Sequence, residues 1–193
     1  MTSECDRSRW EARYAEARPC AGAPSAFLTR HADLIHGRVL DVAAGTGRNA
    51  LFLARRGAVV DAFDISLNGL RTLQAAARSE GLAIRPVQAD LEQFALPVNL
   101  YDAAINIRYL QRSLFGALQR CVKPGGVILF ETFLIDHLAV GHVTNPAFLL
   151  EHGELRRAFT GCDILVYEEG KLDTEDVPAH LARLVARRRA PVD

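Results

Sequence analysis

The chain carries no excess of charge: Lys and Arg total 23, Asp and Glu total 23, and the net charge is zero with His neutral. Both signs are interspersed, which removes the electrostatic footprint of a general nucleic-acid binder. The arginine run at 187–189 is short and reads as a solvated end. Residues 1–7 lack the apolar stretch of a signal peptide, and no later run is long enough to span a bilayer. A cytoplasmic chain with no nucleic-acid or membrane partner is therefore expected. Cys5, Cys20, Cys121 and Cys162 form no C-x-x-C pair, so reduced thiols fit better than a disulfide framework or a zinc site, and no metal is expected. Internal repeats, low-complexity tracts and a Ser/His/Asp or Cys/His set for covalent catalysis are all missing. With 193 residues, 49% of them hydrophobic, the chain fits one domain with a real core.

What is present is organised around residues 39–50, VLDVAAGTGRNA. Val39, Leu40 and Val42 read as a buried strand, Gly45 and Gly47 as a tight turn, and Arg48 onward as a helix. Glycine permits positive torsions and close approach of a ligand, and the helix N-terminus offers unpaired N–H groups. Before this unit, Asp6 or Ser8 caps a first short helix carrying Trp10 and Tyr14, and a second helix starts at Ser25 and runs through Ile35. After it come a strand over 58–64, a helix capped by Ser66 and ended near Gly81, and a strand over 82–90. Pro86 marks that strand as irregular or an edge. A fourth strand covers 101–107, a helix runs through Leu114 and Val122, residues 123–126 break it, and a fifth strand covers 127–133. This βαβα order implies a doubly wound parallel sheet covered on both faces. Residues 134–150 look like a loop, 153–159 a short helix and 162–168 a strand. The periodicity of 180–187 allows either helix or strand.

In a doubly wound sheet the ligand lies outside the carboxyl ends of the strands, where strand order reverses. The stretch from Asp41 to Gly47, then Asp64, Asp90 and Asn106, all fall at such ends. Asp64 follows Gly45 by nineteen positions, near the spacing expected of a carboxylate that binds ribose hydroxyls. The alternative is that Asp64 merely caps the next helix, but Ser66 is better placed to do so. The turn also satisfies the dinucleotide pattern G-x-G-x-x-G/A, which alone is weak. Asp41 just before the turn repels a pyrophosphate and welcomes a cation, Asp90 repeats the theme, and the chain is short for a dehydrogenase. An ammonium- and sulfonium-bearing adenosyl cofactor suits these acids better than a nicotinamide one.

The segments VLDVAAGTGRNALFLA, VVDAFDIS, QADLEQF, YDAAIN and KPGGVILFETF, in this order, resemble the motifs of class I S-adenosylmethionine-dependent methyltransferases. The run 106–112, Glu131-Thr132-Phe133, Phe148-Leu149-Leu150 and the N-terminal WEARY resemble the tellurite-resistance, TehB-like, small-molecule branch. The resemblance implies a Rossmann-like, mostly parallel seven-stranded sheet with an antiparallel C-terminal hairpin in a three-layer αβα sandwich. One domain over 1–193 follows, with a helical cap (1–35), a cofactor core (36–133) and a substrate-side loop with terminal strands (134–193). It also implies methyl transfer from S-adenosylmethionine, leaving S-adenosylhomocysteine, to a small molecule such as a chalcogen oxyanion or thiol.

By the same resemblance Asp41 lies near the methionine amino group, and the backbone of Ala43, Ala44, Gly45 and Gly47 runs along methionine and ribose. Asn49 and Ile65 join the cofactor set, Asp64 takes the ribose hydroxyls, Asp90 the adenine amine with Leu91 beside the ring, and Asn106 lines the methionine end. Ala43 departs from the glycine that many members carry there. Arg108 and Arg112 follow the fourth strand: they either bind an anionic substrate by forked hydrogen bonds or are solvated at a helix start, Arg108 being the better candidate. Tyr14 with Trp10 either forms a lid over the cofactor or belongs to an amphipathic helix on the sheet edge. His137 and His142 are either a weak base or metal signal or surface histidines, and Glu131 and Tyr167 have only position to suggest a substrate-facing role. An NAD-linked reductase and a non-catalytic cofactor-binding module are the competing classes. The choice between monomer and homodimer stays open.

Overall fold

A computed structural model describes residues 3–15, 22–140, 143, 145–174 and 177–190. Seven strands form a single sheet: β1 (Arg38–Val42), β2 (Val59–Asp64), β3 (Ile84–Gln88), β4 (Tyr101–Ile107), β5 (Val122–Phe133), β6 (Cys162–Leu172) and β7 (Ala179–Arg188). Their order is β3-β2-β1-β4-β5-β7-β6. β1 to β5 pair in parallel, while β7 runs antiparallel between β5 and β6. The order reverses between β1 and β4, so the crevice beyond their carboxyl ends is where a doubly wound sheet receives a ligand.

Alternation along the strands divides the core. Val39, Ile105 and Leu129 face α2 (Ala26–Arg30), α3 (Arg48–Arg55) and α4 (Leu67–Glu80), meeting Phe27, Leu51 and Leu73. Leu40, Ala104 and Ile128 face the other way, towards α5 (Leu114–Cys121) and α6 (Glu154–Ala158), meeting Leu118 and Leu155. The three-layer sandwich follows. Before these elements lies α1 (Ser3–Ala15), which starts ahead of the expected caps Asp6 and Ser8.

Several local expectations are met. Ser25 caps α2, Ser66 caps α4 and accepts the Gly69 N–H, and Gly81 ends α4 in a left-handed conformation. Pro86 sits on edge strand β3, where a missing N–H costs least. The element left ambiguous by periodicity is strand β7.

Others differ. The expected helix from Ser25 to Ile35 ends at Arg30, and a 3-10 turn (Ala32–Leu34) follows, with Ala32 and Ile35 both buried. Residues 123–126 do not end an element but bulge within β5, because Val122 pairs with Tyr101 and Val127 with Ala103. The bulge needs glycine: Gly125 has φ +80°, and a Cβ on Gly126 would lie 2.9 Å from the Asp102 carbonyl oxygen. β6 continues past residue 168 to Leu172, and the segment 134–150 holds two 3-10 turns, Ile135–Ala139 and Pro146–Phe148. Cys5, Cys121 and Cys162 are free thiols, while Cys20 lies outside the described residues. Among the described residues no helix is long and apolar enough to cross a membrane.

Candidate functional site

The loop leaving β1 is left-handed at three positions: Ala43 (φ 54°), Gly45 (56°) and Gly47 (87°). Gly47 is the N-cap of α3 and offers no side chain to its first turn, where the Ala50 N–H is taken by the Asp41 carboxylate. Ala43 adopts the conformation that glycine takes without strain, at a cost of about 1–2 kcal/mol. The turn therefore keeps its shape despite the departure from glycine. Ala44 N–H bonds to the Phe63 carbonyl at 2.9 Å, tying the loop to the end of β2.

Asp64 is turned onto this loop. Its Oδ2 accepts the Gly45 N–H at 2.7 Å and its Oδ1 the Ser66 N–H at 2.8 Å, with the side chain almost fully buried. Ser66, not Asp64, caps α4. Asp41, 1% exposed, has one carboxylate oxygen, Oδ2, without a hydrogen-bond partner. Burial, then the Asp64 charge, push its pKa up to about 8, against the opposing pull of Arg48 and the Ala50 N–H. Burial also raises Asp64, although the N–H bonds from Ser66 and Gly45 oppose it. The two buried carboxyls thus lie within electrostatic reach of one another, and a cation placed beside Asp41 would favour its ionised form.

The remaining expected cofactor residues divide. Asn106 is buried at the tip of β4 and its amide donates to the Tyr109 carbonyl at 2.7 Å. Leu91 is buried beside the exit of β3, and the Ile65 carbonyl accepts from the Gln88 amide. Asp90 stands at the tip of β3 with its carboxylate accepting from Glu92 N–H and the Gln93 amide, at 3.0 and 2.9 Å. A surface cavity of about 250 Å³ adjoins Leu91, with Phe94, Val98, Leu114 and Arg120 in its lining. Asn49 serves α2 instead: its side-chain oxygen accepts the Ser25 N–H at 3.0 Å.

Tyr14 lies over the glycine turn rather than on a sheet edge. A Cβ on Gly45 would meet its hydroxyl oxygen at 2.7 Å, and one on Gly69 would meet its ring at 3.1 Å. Trp10 stacks on Tyr14 with centroids 5.6 Å apart. Burial, with the Asp64 charge, pushes the Tyr14 phenol up to about 12. What holds α1 there is Glu11, which sequence reasoning missed. Its carboxylate accepts from Leu67 N–H (2.7 Å), Asn68 N–H (2.9 Å) and Ser66 Oγ (2.9 Å). Burial is the largest single influence and opposes ionisation, yet these bonds together, with the Arg71 charge, hold Glu11 below the ordinary carboxylate range. The signal was an absence: the first turn of α4 contains no acid of its own.

On the far side of the switch point, Arg108 (φ 58°) leaves β4 with its N–H bonded to the Glu131 carbonyl at 2.7 Å and its guanidinium over Phe133. Arg112 is committed elsewhere: it forks onto Glu154 (2.6 and 2.9 Å) and holds the Ala147 and Leu149 carbonyls, pinning the segment before α6. Glu131 does not face an open pocket. It is fully buried, ion-paired with Arg183 at 2.7 Å and 3.9 Å from Arg108 Nε. Tyr167 donates to Glu169. His137 is buried and stacked on Phe133 at 4.3 Å, which removes the surface reading, while His142 lies outside the described residues. Among the described residues no three side chains are grouped to hold a metal.

A left-handed glycine turn at the switch point, backed by two buried acids and roofed by an aromatic helix, defines a nucleoside-cofactor domain of the doubly wound type. Residues 39–126 match the family model described as a methyltransferase domain. The ubiquinone biosynthesis O-methyltransferase of Nitrosococcus oceani is 31% identical over 112 residues, covering 55% of this chain and 48% of that protein. Its counterpart in Pectobacterium carotovorum is 32% identical over 113 residues, covering 55% and 47%. The chain thus spans about half the length of the curated relatives it matches. Among solved structures, one described for the conversion of a disulfide bond into a thioacetal group during echinomycin biosynthesis superposes with a TM-score of 0.76 at 23% identity, covering 95% of this chain and 92% of the other. TehB from Haemophilus influenzae gives 0.72 at 23% identity, covering 84% and 61%. The [4+2]-cyclase SpnF gives 0.70 at 19% identity, covering 95% and 93%. These three share the fold. Across residues 39–126 the chain is similar to methyltransferase domains, and it shares its fold with these solved structures.

Proposed function

We propose that this protein transfers a methyl group from S-adenosylmethionine to a small-molecule nucleophile. The observation that carries the proposal is the buried Asp41 carboxyl, whose unpartnered Oδ2 and raised pKa mark a place prepared for a cation beside the glycine turn. A pyrophosphate does not fit beside two buried carboxyls, and this disfavours a nicotinamide cofactor. S-adenosylmethionine, when bound, supplies an ammonium and a methyl group activated by a sulfonium. Asp41 takes the ammonium, the loop from Ala43 to Gly47 lies along the ligand, and Asp64 receives the ribose hydroxyls. Ile65, Asp90 and Leu91 flank the base, and Asn106 borders the methionine end. Tyr14, held by Glu11, excludes water from above.

The protein's contribution to the chemistry is alignment in a dry site, with no nucleophilic side chain needed. Arg108, next to Asn106 and partly accessible, anchors an anionic acceptor, and its left-handed backbone is the kind of strain found at functional positions. The acceptor class in view is an oxyanion or thiol. The sequence resemblance to the tellurite-resistance branch favours a chalcogen oxyanion, and the O-methyltransferase relatives favour an oxygen nucleophile. A cyclase on the same fold is the reason to test turnover as well as binding. Release of S-adenosylhomocysteine is measured across a panel of tellurite, selenite, thiols and phenols. Turnover with at least one supports the proposal. Binding of the cofactor with no turnover on any acceptor would move the protein to the non-catalytic class.

A further inference from the structure

Tyr109 and Gln111 follow the tip of β4 and have no part in the assignments above. The left-handed turn at Arg108 redirects the chain at the tip of β4, and the Asn106 amide fixes it through the Tyr109 carbonyl at 2.7 Å. Tyr109 is half-buried against the core cluster that includes Val42, Phe63, Ala89 and Leu91 among its members. Its hydroxyl donates to Gln111 Oε1 at 2.5 Å. The Gln111 amide in turn donates to the Leu91 carbonyl at 3.2 Å and Ser113 Oγ at 3.0 Å. A run of side-chain hydrogen bonds therefore ties the β4 exit to the β3 exit across the slot. Burial pushes the phenol up, and the charges of Glu92, Asp90, Asp64 and, from α1, Asp6 add to it. A phenol in reach of acids from both the ribose and the base end is not filling apolar space that Leu or Phe would fill equally well.

We propose that Tyr109 is a wall of the adenosyl compartment, in contact with the purine nucleoside, and that Gln111 is the positioning residue that holds it there. This rests on the cofactor assignment made under Proposed function. The ring supplies a flat apolar face to the nucleoside, and Gln111 sets its distance from Leu91.

The test is calorimetric titration of the full chain with S-adenosylhomocysteine and with 5′-methylthioadenosine, alongside thermal unfolding. The variants are Tyr109→Ala, Tyr109→Phe, Gln111→Ala and the Phe/Ala double. Tyr109→Ala is expected to weaken both ligands by the same factor, roughly tenfold, because the lost wall touches the part they share. Tyr109→Phe and Gln111→Ala each lose about threefold, and the double loses less than the product because both act through one hydrogen bond. Wild-type binding with Tyr109→Ala within twofold overturns the inference alone, as does a loss for S-adenosylhomocysteine without one for methylthioadenosine. Variants whose affinity is intact while only the melting temperature falls overturn it too. Should Tyr109→Ala not fold, additive losses in the other two variants and their double overturn the positioning role. Failure of the wild type to bind either ligand overturns the cofactor assignment itself.

Discussion

Replacing Asp41 by Asn is expected to stabilise the ligand-free protein and weaken its ligand, with the first effect growing as pH rises. Asp41 has its pKa raised by burial and by Asp64 from the ordinary carboxylate range to about 8. The folded chain therefore keeps a proton there that the unfolded chain has released above about pH 4. Where the native state binds the extra proton, stability falls as pH rises, here from about pH 4 until the native group ionises near 8. The slope is about 1.4 kcal/mol per pH unit. Asparagine keeps the shape and does not titrate. From pH 5 to pH 7.5 the gap in unfolding free energy between Asp41→Asn and wild type should widen by roughly 3 kcal/mol in favour of the variant. Urea unfolding of both proteins at pH 5, 6 and 7.5 reads it directly. A gap that stays constant across this range refutes the placement of an uncompensated carboxyl at Asp41. In the same series the variant should bind S-adenosylhomocysteine at least about tenfold more weakly, having lost the partner for its ammonium.

Asp64→Ala removes the acceptor for two buried N–H groups, so it should cost about 2–3 kcal/mol of stability and most of the cofactor affinity; native-like values of both would exclude the observed bonds. Ala43→Gly relieves a left-handed alanine and should gain up to about 1 kcal/mol in denaturant unfolding with cofactor affinity unchanged; a loss of stability contradicts the strain. Glu131→Gln strips the buried Arg183 of its carboxylate and should destabilise by about 3–5 kcal/mol, whereas a small change would mean that the pair is solvated. Glu11→Ala frees α1 from α4 and should raise limited proteolysis within residues 3–15 when the cofactor is absent; an unchanged cleavage rate argues against Glu11 as the anchor.

The first three strands were legible because each ends in a glycine turn or an acid, and the helix after β2 announces its own ends at Ser66 and Gly81. β7 was legible only through the resemblance and not in its periodicity, because it lies between β5 and β6, almost every residue from Ala179 to Ala186 is buried and the two-residue alternation disappears. The helix expected from Ser25 to Ile35 failed at His31, where i to i−3 bonding replaces the α pattern. At the site, Asp41 and Asp64 were visible because they sit at strand tips beside glycines. Glu11, the Glu131–Arg183 pair and the Arg112–Glu154 fork were not, since each joins groups at least 42 residues apart in the chain. Spacing within one element carries no information about such partners. Tyr109 and Gln111 were hidden differently: only the left-handed turn at Arg108 brings them into play, and nothing about an arginine announces positive φ.

The central claim is that buried acids at neighbouring strand tips surround a slot for a cationic adenosyl ligand. Calorimetric titration with S-adenosylhomocysteine, repeated near pH 7 in two buffers of different ionisation enthalpy and paired with a titration of NAD, tests it most directly. Saturable binding of S-adenosylhomocysteine at one site per chain, with release of up to one proton as Asp41 ionises and no binding of NAD, is the predicted result. Tight binding of NAD with none of S-adenosylhomocysteine would contradict it.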